Sequence, residues 1–320
     1  MKKTAGEDRP RPSGSSGSTG GLIARVLTIL GASAGVVIAA VILAGDRKLP
    51  ALNPDTLAVN LLPVSAAMGL LLACRRIDFS LPMLLLLAAN FPTTARWLPA
   101  DSFLRILAVV GICGGIGLAS ALATWYGRIA SGLWTALLTL AVGLSSQALN
   151  PSGGTAGTWP WPWAVAVSLG LLVAGAAVLG ATGLVSLPST PPIIRAGSEG
   201  LAGLAGAWVL AGAAVALNAQ SIAAPTSLAH LPMTYPCVLA AGILGGAIIL
   251  RGRWGALAAV ILTSVAHLAC AYAWSIDVRS TAAQLVLLAG VPLAALPVYL
   301  VIDWLIRRWT GESAPTGLLA

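Results

Sequence analysis

The chain has 320 residues, of which 58% fall in the hydrophobic set and only 9% are charged, against roughly 25% charged in an ordinary soluble domain. A soluble protein of this size needs polar groups to cover its surface, so that class is excluded. The formal net charge of +8 comes from cations scattered singly between apolar runs; they form no basic stripe, which argues against a nucleic-acid partner.

Residues 1–21 are polar and rich in Ser, Gly and Pro, with Lys2, Lys3, Arg9 and Arg11. Such a tail buries no core and is expected to be disordered. Apolar runs then follow one another: Leu22–Ala44, Leu57–Cys74, Phe79–Thr94, Phe103–Tyr126, Leu133–Leu149, Ala164–Leu187, Leu201–Ala223, Thr234–Leu250, Trp254–Trp274 and Ala282–Leu305. The first exceeds a signal peptide's short apolar region and reads as a retained span. Several reach the roughly 20 residues that cross a hydrocarbon core of about 30 Å. In lipid the backbone must bond to itself, and these runs lack the two-residue alternation of barrel strands, so they are predicted to be helices. The third is short and carries Pro82 and Pro92 near its ends, which suggests a broken or re-entrant element. The predicted fold is all-α, a polytopic helical membrane protein with about ten spans over 22–310. Residues 311–320 form a second tail.

With the N-terminus inside, thirteen basic residues fall on the cytoplasmic side: Lys2, Lys3, Arg9, Arg11, Arg25, Arg75, Arg76, Arg128, Arg195, Arg251, Arg253, Arg307 and Arg308. Five fall outside: Arg47, Lys48, Arg96, Arg105 and Arg279. Dropping one span would exchange the sides of every later loop and erase this positive-inside bias. Ten spans with both termini cytoplasmic is therefore the expected topology. Trp97, Trp125, Trp159, Trp161, Trp163, Trp254, Trp274, Trp304 and Trp309 fall at or near predicted span ends, where amphipathic rings sit at the headgroup level.

Catalytic chemistry is not evident. The histidines are His230 and His267, far apart, and there is no H-E-x-x-H, paired-Asp or phosphate-loop motif. Cys74, Cys113, Cys237 and Cys270 lie in or beside apolar runs without metal-ligand spacing, so free buried thiols are expected rather than a disulfide framework or a metal centre. No enzyme activity and no cofactor are expected. Gly111-Ile-Cys-Gly-Gly115 and Gly242-Ile-Leu-Gly-Gly246 each place a GxxxG step in a span, and packing between helices is the reading that explains them most simply. Ionisable groups near spans are costly in lipid, about 2.5–3.5 kcal/mol each. Asp78 beside Arg75 and Arg76 reads either as a loop carboxylate neutralised by those neighbours or as a functional group at a break. His267, well inside the ninth span, reads as an imidazole bonded to a neighbouring helix or as a functional group. Glu199 opens the seventh span, where the helix dipole favours an acid.

Around Asp78 the chain reads Asn60, then Ala73-Cys-Arg-Arg-Ile-Asp-Phe-Ser-Leu-Pro82. This resembles the ribose and branched-chain class of ABC-importer permeases, whose signature is G-G-I-D-L-S-V-G after an Asn-bearing second span. Ile77, Asp78 and Ser80 match, Phe79 replaces Leu, and Arg75 and Arg76 stand where glycines are usual. Arg128-Ile129 with Thr139-Leu140 and Gly143, Ser198-Glu-Gly-Leu-Ala-Gly-Leu-Ala-Gly206, and Gly245-Gly246 followed by Gly252-Arg253-Trp254-Gly255 are similar to later family segments and occur in family order. The family's loop for docking on its ATPase is replaced by the shorter Pro188-Ser-Thr-Pro-Pro-Ile-Ile-Arg-Ala196.

The resemblance implies a permease subunit in a bacterial cytoplasmic (inner) membrane, importing a sugar or related small polar solute. It implies a second permease subunit, identical or different, cytoplasmic ATPase subunits and an external solute-binding protein. Asn60, Asp78, Ser80 and His267 are then candidates for the path or a structural break, and Ser189, Thr190, Ile194 and Arg195 for ATPase contact. An ion-gradient-driven secondary transporter and a non-transporting structural subunit are the alternatives.

Overall fold

The computed structural model describes residues 57–149 apart from 75, 95–102 and 128, then 159–185, 198–220 and 255–274, and single positions at 241, 301, 304, 305 and 308. All regular structure among the described residues is helical. In chain order the helices are α1 Leu57–Ala73, α2 Leu81–Thr94, α3 Phe103–Tyr126, α4 Ser131–Leu149, α5 Trp161–Ala181, α6 Ser198–Ala219 and α7 Gly255–Trp274. The expected spans Leu22–Ala44 and Thr234–Leu250, and all but single positions of Ala282–Leu305, lie outside the described residues, as do the two tails.

Among the described residues three helices are long and apolar enough to cross a membrane: Phe103–Tyr126, Pro162–Ala181 and Gly200–Ala219. At 1.5 Å per residue, the 24 residues of α3 cover about 36 Å. In the third apolar run the helix α2 begins at Leu81, after a seven-residue elbow that joins it to α1. The expected sixth span shifts toward its N-terminus. Its helix starts at Trp161 because Pro160 and Pro162 fit the cap and first turn, where a missing N–H costs nothing. It stops at Ala181 because Gly183 takes a φ of +72° and turns the chain back, with Val185 N–H donating to the Leu179 carbonyl.

Glycines set how the helices cross. A methyl on Gly117 would collide with the Trp208 carbonyl, and one on Gly212 with the Cys113 carbonyl. Further along, Gly200 faces the ring of Trp125, so α3 and α6 run antiparallel at backbone contact. On another face of α6, Gly206 and Gly203 meet Leu179 and Leu184, making α5 antiparallel as well. α1 and α7 are likewise antiparallel: Gly69 lies against Ala259 and Thr263, and Ser65 against His267.

α1 is the inner helix. Val64, Ala66, Ala67, Leu70 and Leu71 have no exposure, and α5, α6 and α7 pack around it. The outward faces of α3, α4 and α5 carry Leu104, Leu107, Leu118, Leu122, Leu133, Leu140, Leu144, Trp163 and Val178, all exposed. Water would penalise that surface at about 25 cal/mol per Å²; hydrocarbon would not.

The GxxxG word in α3 needs correction. Gly111 and Gly115 have open space around them, whereas Gly114 and Gly117 face α6. The helix turns Cys113, Gly114, Gly117 and Ala121 to its neighbour, and the lettered pair points away. Gly242–Gly246 lies outside the described side chains.

Candidate functional site

The elbow between α1 and α2 is the most polar buried point of the described chain. At its start the N–H groups of Cys74 and Arg76 both bond the Leu71 carbonyl, at 2.9 and 3.0 Å. The backbone then leaves the helix, and each freed group needs a partner inside the protein. Asp78 Oδ1 accepts the Ser80 N–H at 2.7 Å and the Ser80 hydroxyl at 2.5 Å. This Asx turn presents Ser80, whose carbonyl takes the first helical bond of α2 from Leu84 N–H at 2.9 Å. The second oxygen, Oδ2, accepts the indole N–H of Trp208 on α6 at 2.7 Å. From α4, Thr135 Oγ1 accepts the Phe79 N–H at 3.2 Å and donates to the Ser131 carbonyl at 2.8 Å. Asp78 and Ser80 are 1% and 0% exposed. The elbow is thus pinned to α6 and α4 by one side chain from each.

Of the two expected arginine neighbours, Arg76 is half-buried and makes no ion pair with Asp78, and Arg75 lies outside the described residues. Among the described residues the carboxyl serves as an acceptor of three hydrogen bonds.

His267 does not join this group. It is fully buried on α7 and its Nδ1 is hydrogen-bonded to Ser65 Oγ on α1 at 2.5 Å, as the helix-to-helix reading expects. One turn away, the Thr263 hydroxyl is buried beside Gly69 without a hydrogen-bond partner among the described residues. Ser65, Thr263 and His267 thus form a polar seam between α1 and α7. Asn60 is in the first turn of α1, but its side chain is outside the described residues. So are the Glu199 side chain and the whole stretch holding Ser189, Thr190, Ile194 and Arg195.

The sequence reading missed Trp208, and it also passed over Trp134, whose Nε1–H donates to Ser120 Oγ on α3 at 3.1 Å. For Trp208 a signal was present: it sits well inside the run Leu201–Ala223, away from the headgroup level, and an indole N–H inside a bilayer needs an acceptor. Cys74 and Cys113 are free thiols, the first half-buried and the second buried. Among the described residues no cluster of His, Cys, Asp and Glu could hold a metal ion. Comparison of the chain with known protein families, curated proteins and solved structures returns no match.

Proposed function

We propose that this chain is the transmembrane permease subunit of an ABC importer for a sugar or a related small polar solute, in a bacterial cytoplasmic membrane. One observation carries the reading. Two segments that resemble the importer-permease class, Ile77–Ser80 and Ser198–Gly206, come close in the bundle: Asp78 Oδ2 in the first accepts the indole N–H of Trp208, just beyond the second. Trp208 follows the second segment by two residues. Fragments of one functional core are expected to meet in this way.

The alternating order of the described spans has support of the same kind. The ends of α1 and α3 and the starts of α4 and α6 gather at one end of the bundle, through Thr135 against the elbow and Trp125 against Gly200. α7 starts at that same end, because its first turns lie against Gly69 near the end of α1. α6 and α7 are therefore parallel, as the ten-span map requires of its seventh and ninth spans.

In this reading the chain does no chemistry; it forms the path and alternates its access. A second permease subunit, cytoplasmic ATPases and an external binding protein complete the machine. Purification of the native complex tests it: an ATPase subunit should co-purify, and the isolated chain should bind no ATP. Uptake by this chain alone in liposomes, driven by a proton gradient, would overturn the importer reading in favour of secondary transport.

A further inference from the structure

We propose that Trp208 is the catch of a movable joint: its single indole hydrogen bond holds the elbow between α1 and α2 against α6, and release of that bond lets the inner helix α1 shift without unfolding the elbow. Three observations carry this. First, the Asp78 carboxyl divides its work. Oδ1 is taken by the N–H and hydroxyl of Ser80, inside the elbow, while among the described residues Oδ2 is taken by Trp208. Losing the second bond leaves the Asx turn and the first helical bond of α2 intact. Second, α6 meets α3 and α5 through Gly200, Gly203, Gly206 and Gly212. These are close backbone contacts, with Val209 and Leu210 of α6 seated against Gly114 and Gly175, so α6 is a fixed wall to which the elbow is tied. Trp208 is the largest fully buried side chain on the described chain and stands as the exception on that helix. Third, Thr135 grips the elbow from α4 independently of α6, so the elbow has a second anchor when the first is released.

A hydrogen bond to a carboxylate shifts an equilibrium by about tenfold or more when it is lost. That is the size needed for a two-state element rather than a permanent weld. Trp208 acts through Asp78 and is a positioning residue.

The native thiol of Cys74 is the reporter, because it sits half-buried at the start of the elbow. The full chain carrying Cys113→Ala, Cys237→Ala and Cys270→Ala would be purified in detergent and its labelling by N-ethylmaleimide followed in time. Trp208→Phe keeps the aromatic packing and removes the donor; Cys74 should label about tenfold faster. Trp134→Phe deletes an equivalent indole bond, to Ser120 on α3 and not to Asp78, and should leave the rate within about twofold. Asp78→Asn breaks the tie from its other side, and its effect should not multiply with that of Trp208→Phe. If Trp208→Phe does not fold, Asp78→Asn carries the same comparison. An unchanged rate in Trp208→Phe, or an equal rise in Trp134→Phe, or effects of Trp208→Phe and Asp78→Asn that multiply, would overturn the proposal. The importer reading fails separately, on the absence of an ATPase partner, and leaves this labelling comparison standing.

Discussion

Asp78 and His267 are both buried and both bonded, yet their replacement should cost very different amounts. Asp78→Asn keeps the shape and removes one acceptor. The amide keeps its oxygen on the two Ser80 donors and turns its NH₂ to the Trp208 indole, so that buried donor goes unmet. The cost is about 1–3 kcal/mol, visible as a lower thermal midpoint in detergent and reduced assembly, with solute preference unchanged. A variant that assembled normally but carried a different solute would place Asp78 in the path instead. At the seam, Ser65→Ala should cost only about 1 kcal/mol or less, because hydrogen bonds between membrane helices average about 0.6 kcal/mol. His267→Ala removes the same bond and also a ring that is fully buried, leaving a cavity worth about 2 kcal/mol or more. Unfolding titrations of the two variants check the order.

The glycines of α3 make a sharper test of packing than any side chain. Gly117→Ala drives a methyl into the Trp208 carbonyl, and on α6 Gly212→Ala does the same to the Cys113 carbonyl. Each should destabilise by about 1–3 kcal/mol. Gly111→Ala and Gly115→Ala meet nothing and should be neutral or stabilising by up to about 1 kcal/mol, since alanine is the better helix former. Thermal midpoints of the four variants would separate the two classes. Helix positions were legible in the sequence because lipid demands long apolar runs: the run Phe103–Tyr126 and the helix α3 coincide. Which face of a helix meets which neighbour was not legible. With glycine at 111, 114, 115 and 117, several faces look alike in letters, and only the crossing with α6 selects among them. The same gap hid Trp208: Asp78 was visible as a costly charge, but its partner lay 130 residues on, beyond any local pattern.

For the molecule as a whole, the ten-span topology predicts that cysteines placed at Gly154 and Thr226 label from outside intact cells, while ones at Ser189 and Gly252 do not. Outside labelling at Gly252 would break the map. The same antiparallel pairing of α1 with α7 also has a consequence in time. The Ser65–His267 contact closes a separation of 202 residues. At about 5–20 residues per second of synthesis, α1 is complete some 10–40 seconds before its main partner emerges. Through that interval the innermost helix, with Pro63 interrupting its ladder and Ser65 without His267, has to wait in the membrane beside provisional neighbours. Assembly of this bundle is therefore limited by its last-made helices, and ribosome stalling anywhere before Gly255 would leave a chain whose centre is built but not closed.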